Sequence, residues 1–93
     1  MIKSIKHKGL RLLYYRNDAS KLPHSHVAKI SMILDIIDNL EKVPQDLMFY
    51  KTMRPHPYKN MDNVWSLDVT GNWRILFRFI DGDAYDIDYI DPH

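Results

Sequence analysis

The sequence predicts an α+β domain in which helices pack on one face of an antiparallel sheet. Three observations carry this. The last third of the chain reads as two β-hairpins in succession. A stretch in the first half has the apolar period of an amphipathic helix. The helical patterns precede the strand patterns, which gives the order β-α-α-β-β-β within one domain of 93 residues, large enough for one core.

Residues 2–5 suit a short edge strand, where Ile2 and Ile5 face inward and the lysines discourage pairing with other chains. Residues 9–15 suit a short helix, with Leu10, Leu13 and Tyr14 at i, i+3, i+4. A polar connection follows, and Pro23 or Ser25 opens the next helix. Residues 25–42 carry the strongest helical signal. Val27, Ile30, Ile33, Leu34, Ile37 and Leu40 form one stripe, and Lys29, Ser31, Asp35, Asp38 and Glu41 take the other side. Each Leu or Ile buried from that stripe contributes roughly 1.5–3 kcal/mol. Pro44 ends the helix, residues 43–50 allow one more turn, and residues 51–63, with Pro55, Pro57, Asn60 and Asn63, read as a loop.

From residue 64 onward the period is two. Trp65, Leu67 and Val69 alternate with polar residues, as do Ile75, Phe77 and Phe79, then Tyr85, Ile87 and Tyr89. Gly71-Asn72 and Asp81-Gly82 are the turns. Keeping every apolar side chain on one face pairs Val69 with Trp73, Leu67 with Ile75 and Trp65 with Phe77. At the second turn the same argument favours a three-residue loop, residues 81–83, pairing Phe79 with Tyr85, Phe77 with Ile87 and Ile75 with Tyr89. The opposite face then carries Asp68 across from Arg74 and Arg78 across from Asp86, with Leu76 between them. Trp65 and Trp73 read as core residues rather than base-stacking platforms.

Composition excludes several classes. An apolar fraction of 45% is that of a globular chain. There is no cysteine, hence no disulfide, thiol nucleophile or zinc–thiolate site, as expected in a reducing compartment such as the cytoplasm. No apolar run approaches the ~20 residues of a membrane span, and the basic N-terminus lacks the features of a signal peptide. His24 and His26 are two apart, so they do not share a helix face, and no metal site is expected. The net charge of +1 conceals a polarised distribution. Cations including Lys8 and Arg11 crowd the start, Arg54, Lys59, Arg74 and Arg78 lie in the middle, and aspartates fill the end.

Three constellations could carry chemistry. His56, between Pro55 and Pro57, stands beside Arg54 and Lys59: a group that exchanges protons near neutrality among groups that suit phosphate oxygens. Arg74 and Arg78 lie on the sheet face away from the core. Asp91 and His93 leave the last strand near the Arg74 end. Each also has an ordinary reading: a surface loop histidine, cross-strand ion pairs to Asp68 and Asp86 (the reading favoured more for Arg78 than for Arg74), and a frayed terminus.

The strings HP-x-K at 56–59, WSLDV-x-GNWRI-x-FRF at 65–79 and DGDAYD-x-DY-x-D-x-H at 81–93, with the opening IKSIKHKGL-x-LLY, resemble the HigB branch of the RelE/ParE superfamily of type II toxins. The likeness covers most of the chain and is least distinctive over residues 21–53. It implies a RelE-like small domain and a ribosome-dependent endoribonuclease. Such an enzyme enters the ribosomal A site and cuts mRNA without a metal or other cofactor, through attack of the ribose 2′-OH on the adjacent phosphorus. It implies a HigA-type helix-turn-helix antitoxin as partner, with operator DNA bound only through that complex. Carried across, His56, Arg74, Asp91 and His93 match the catalytic set and Lys59 matches the phosphate-binding lysine. Arg54, Arg78, Lys8 and Arg11 are further expected RNA contacts. The terminus departs from the family's Asp-Tyr-His: Pro92 stands at the tyrosine position. The HP-x-K loop continues Asn60-Met61 in place of Gly-Asp. Two alternatives stay open: a ParE-like toxin that blocks a gyrase-type target, and a catalytically weakened descendant that only binds its antitoxin.

Overall fold

A computed structural model describes residues 1–91. Pro92, at the expected tyrosine position, and His93, expected in the catalytic set, lie outside the described residues. Helix α1 (Lys8–Arg16) and helix α2 (Val27–Asn39) cover one face of a four-stranded antiparallel sheet, β1 (His56–Pro57), β2 (Val64–Asp68), β3 (Arg74–Ile80) and β4 (Asp83–Ile90), in the order β1-β2-β3-β4. The helical stripe does what its period requires: Ile30, Ile33, Leu34 and Ile37 of α2 and Leu10 and Leu13 of α1 are buried against Leu67, Ile75, Phe77 and Ile87.

Several expectations need correction. Residues 2–5 form no regular strand. They make two isolated parallel bridges, Ile2 with Ala84 and Ile5 with Ile87, along the free edge of β4. Four residues cross to β4 and turn at once into α1, too few to build a ladder. The first helix runs one residue further at each end than residues 9–15. His7 caps it: its Nδ1 accepts from the backbone N–H groups of Gly9 (3.0 Å) and Leu10 (3.3 Å). Gly9 makes room for that ring, because a Cβ there would stand 3.0 Å from His7 Cε1 and 3.1 Å from Leu22 Cδ2.

The second helix is shorter than 25–42. A single 3-10 turn, His24–His26, precedes it, and it ends at Asn39 because Leu40 turns extended and buries its side chain. The Asp46 carboxylate then accepts from the N–H groups of Glu41 (2.8 Å) and Lys42 (3.0 Å), groups that a continuing helix would have bonded internally. The turn allowed for residues 43–50 is a longer 3-10 segment, Gln45–Met53, kinked at Tyr50. The proline-rich loop hides a strand. His56 and Pro57 pair with Ser66 and Trp65 at the sheet edge, where proline's missing N–H costs nothing.

The first hairpin has the expected register, with Asp68 opposite Arg74, Leu67 opposite Ile75 and Trp65 opposite Phe77. The second has it only at its far end, where Ile75 faces Tyr89 as expected. Its loop is two residues, Asp81 (φ 50°) and Gly82 (φ 85°), and Ile80, Phe79 and Arg78 face Asp83, Ala84 and Tyr85. Hence neither the Phe79–Tyr85 pair nor the direct Arg78–Asp86 opposition forms. Parity is restored by a bulge: Asp86 takes φ 55°, and from Leu76 onward the pairs are Leu76–Asp88, Ile75–Tyr89 and Arg74–Ile90. The Asp-Gly pair enforced its own two-residue turn. One irregular residue then returned Ile87 and Tyr89 to the core.

Candidate active site on the open sheet face

Directly opposed residues of antiparallel strands point to the same side. The register therefore puts His56, Ser66, Leu76 and Asp88 in one row across the face away from the helices, and Asp68, Arg74 and Ile90 in the next. Asp91 follows Ile90 directly, beside the Arg74 row.

Asp68 organises this end. Its Oδ1 lies 3.1 Å from an Arg74 guanidinium nitrogen and its Oδ2 3.2 Å from Arg54 Nε. The Asp68 and Arg74 side chains are only 13% and 15% exposed, so their attraction is weakly screened, whereas Arg54 is 72% exposed. Arg74 also donates to the carbonyls of Thr70 and Gly71, both at 3.3 Å. Arg74 is thus held by three oxygens, the Asp68 carboxylate as an ion pair and the two turn carbonyls as hydrogen-bond acceptors, the reverse of the sequence expectation that Arg78 would be the more firmly paired. Two cations share this one carboxylate.

His56 is exposed, and its Nδ1 lies 2.8 Å from the carbonyl oxygen of Arg54. A carbonyl only accepts, so Nδ1 carries the proton and Nε2 is left with the lone pair in the neutral ring. Arg54 itself sits at φ 48°, and Lys59 at the same value, a left-handed conformation that costs a non-glycine residue about 1–2 kcal/mol. Both carry cations singled out from the sequence. Lys59 lies over the Tyr58 ring, 5.1 Å from its centroid, in the turn that joins β1 to β2.

A family model for HigB, described as a RelE-like toxin of type II toxin–antitoxin systems, matches residues 3–93. The chain belongs to the HigB-like toxins. An "Endoribonuclease HigB" of Proteus vulgaris is 42% identical to this HigB-like toxin over 95 residues, covering 100% of both chains. A type II system pairs its toxin with an antitoxin, which is therefore a partner of this chain.

The fold brings Arg54 and Arg74 onto Asp68, with His56 in the neighbouring cross-strand row and Asp91 one residue beyond Ile90, the partner of Arg74. Arg78 lies four residues along β3 from Arg74, with Nε 3.7 Å from Asp86 Oδ2 and a terminal nitrogen donating to the Asp62 carbonyl at 3.0 Å. Lys8 and Arg11 do not join this group: they belong to α1, in the helical layer, and Arg11 donates to the carbonyls of Ile5 (3.2 Å) and Lys6 (2.8 Å). Among the described residues no three His, Asp or Glu side chains are arranged to hold a metal ion, and no helix is long and apolar enough to cross a membrane.

Sequence reasoning missed the aromatic cluster behind Arg74. Trp73 stacks on Tyr89 (centroids 4.5 Å apart, planes 14° apart), and His7 meets Tyr89 edge-on at 5.6 Å. The Tyr89 hydroxyl bonds His26 Nδ1. Burial pushes the Tyr89 phenol above its ordinary pKa of 10. The cluster fixes the end of β4 from which Asp91 emerges. Its one sequence signal was that Trp73 and Tyr89 both fall on the core face of the hairpins; nothing local pointed to His7 or His26.

Proposed function

We propose that this chain is an endoribonuclease toxin that cuts mRNA on the ribosome. The observation that supports it best is the Arg54–Asp68–Arg74 group with His56 on the same sheet face, a positive surface with a proton acceptor beside it. The reaction is a transesterification. The ribose 2′-oxygen forms a bond to the adjacent phosphorus, the bond from phosphorus to the 5′-oxygen breaks, and a 2′,3′-cyclic phosphate remains. His56 Nε2 takes the 2′-proton, His93 supplies a proton to the departing 5′-oxygen, and Arg74 offsets the charge that builds on the phosphorane. Asp91 and Lys59 orient the terminus and the strand, Arg54 and Arg78 are counter-charges for RNA phosphates on this face, and Lys8 and Arg11, on the helical layer, are counter-charges for phosphates beyond it.

Family membership and the likeness to the Proteus vulgaris enzyme support the nuclease over a gyrase blocker. The reading extends to a cytoplasmic protein that acts in the ribosomal A site. Its antitoxin is of the HigA helix-turn-helix type, and operator DNA is bound only through the joint complex.

Primer extension on mRNA from expressing cells tests this. New 5′ ends within codons are expected for the wild type and lost in Arg74→Ala and His56→Ala, both folded by circular dichroism. Signs of DNA damage without new ends would favour the gyrase-type target. Retained antitoxin affinity without either would leave the weakened descendant. Purified toxin with and without ribosomes reads the ribosome requirement.

A further inference from the structure

The open sheet face does not end at Arg74. Between β3, β4 and the N-terminal segment it hollows into a cavity of about 460 Å³. Its apolar part comes from Val64, Leu76, Phe77 and Met61. Four charged residues complete the lining, Lys6 beside Asp88 (3.9 Å) and Arg78 beside Asp86 (3.7 Å). Both pairs are wider than a hydrogen bond, so donors and acceptors in each keep unused capacity. Asp88 Oδ1 accepts from the Tyr89 N–H at 2.9 Å, and Oδ2 faces Lys6 Nζ at 3.9 Å, beyond hydrogen-bond distance.

The charges in this lining cancel, unlike those around Arg74. A phosphate gains little from such a site. A nucleobase gains more: it is neutral and flat, with an apolar face for Leu76 and Val64 and an edge of donors and acceptors. The cavity and the candidate active site lie on the same sheet face. Leu76 is in the same cross-strand row as His56, and between them stands Ser66, fully buried, whose hydroxyl has no hydrogen-bond partner among the described residues. From Arg74 to Arg78 is four strand residues, about 13 Å, which an extended RNA strand crosses in a few nucleotides.

We propose that this cavity holds one unstacked base of the strand whose phosphate lies at Arg74, and that Asp86 and Asp88 favour a base with an exocyclic amine over uracil. A carboxylate only accepts, and adenine, cytosine and guanine each offer an amine where uracil presents a carbonyl. The inference rests on the endoribonuclease reading for its ligand, but not for its test.

The test follows the methyl groups of Leu76 and Val64 by NMR in the full-length wild type, titrated with 2′-O-methyl tetramers of adenosine, cytidine or uridine, which cannot be cut. The adenosine and cytidine tetramers should shift both residues and saturate at concentrations at least about fivefold below the uridine tetramer. Asp88→Asn should narrow that ratio, and Leu76→Trp, which fills the cavity, should weaken all three. No shift at these methyls, or equal affinity for the three tetramers, overturns the proposal. Primer extension separates it from the function above. Methyl shifts without new 5′ ends leave a base site on a protein that does not cut; new ends without shifts leave a nuclease that does not use this cavity.

Discussion

Removing Asp68 tests the site at its structural centre. At 3.1 Å from Arg74, the Coulomb attraction is about 5 kcal/mol at an effective dielectric of about 20. Desolvation of two largely buried groups offsets more than half of that. The contact to Arg54 adds no more than about 0.5 kcal/mol, because Arg54 is 72% exposed. Asp68→Ala should therefore destabilise the fold by about 2–3 kcal/mol, since it leaves the Arg74 cation unpaired at 15% exposure. The bonds from Arg74 to Thr70 and Gly71 survive the change and bound the loss. Arg74→Ala should cost about 1–2 kcal/mol, and the double variant less than the sum of the two, by about 1–2 kcal/mol. Urea unfolding at pH 7 followed by circular dichroism measures all three. In mRNA cleavage, Asp68→Ala should fall by on the order of tenfold or more, because a guanidinium held by one side only loses its aim. Additivity within about 0.3 kcal/mol would refute the reasoning. The carboxylate would then not hold Arg74 in solution.

Three other outcomes follow from the fold. Asp86→Val should cost about 1–2 kcal/mol, and Asp86→Gly should be neutral or stabilising, because the bulge places residue 86 at φ 55°; equal thermal midpoints for the two variants would mean that the bulge is not there. Tyr89→Phe keeps the stack on Trp73 but removes the bond to His26, and should lower stability by about 1 kcal/mol in thermal denaturation. The N–H groups of Lys42 and Glu41 hold the Asp46 carboxyl below its ordinary pKa of 3.8, so the unfolded chain binds that proton first and the stabilisation is complete above that value. It is lost as pH falls through the lower folded value, so Asp46→Asn should be less stable than wild type at pH 7 and match it in strong acid, as read from urea midpoints across pH.

The hairpins show where sequence reasoning succeeds and where it stops. Alternation alone located β2, β3 and β4 and set the first register, since Leu67, Ile75 and Trp65 can share a face only one way. It failed at the second turn because parity was treated as unbroken along β4. Local turn chemistry and global face parity conflicted, and the chain satisfied both with the bulge at Asp86. The strand at His56–Pro57 was hidden for a related reason: prolines mark loops locally, yet an edge position needs no N–H from Pro57. The candidate residues His56, Arg54 and Arg74 were legible as types in a pattern. Asp68, the shared partner of Arg54 and Arg74, was legible only as the residue opposite Arg74, because Arg54 arrives from a turn that no periodicity describes.

By itself the sequence determined the class of the fold, the buried stripe of α2, the central strands and the chemical kinds gathered before and after them. These depend on period and composition, which act over a few residues. Only the tertiary structure decided that one carboxylate holds two arginines, that His56 presents Nε2, and that a charge-balanced hollow lies on their sheet face. Those facts depend on which strand lies beside which and at what register, and that is set by long-range packing against the helices.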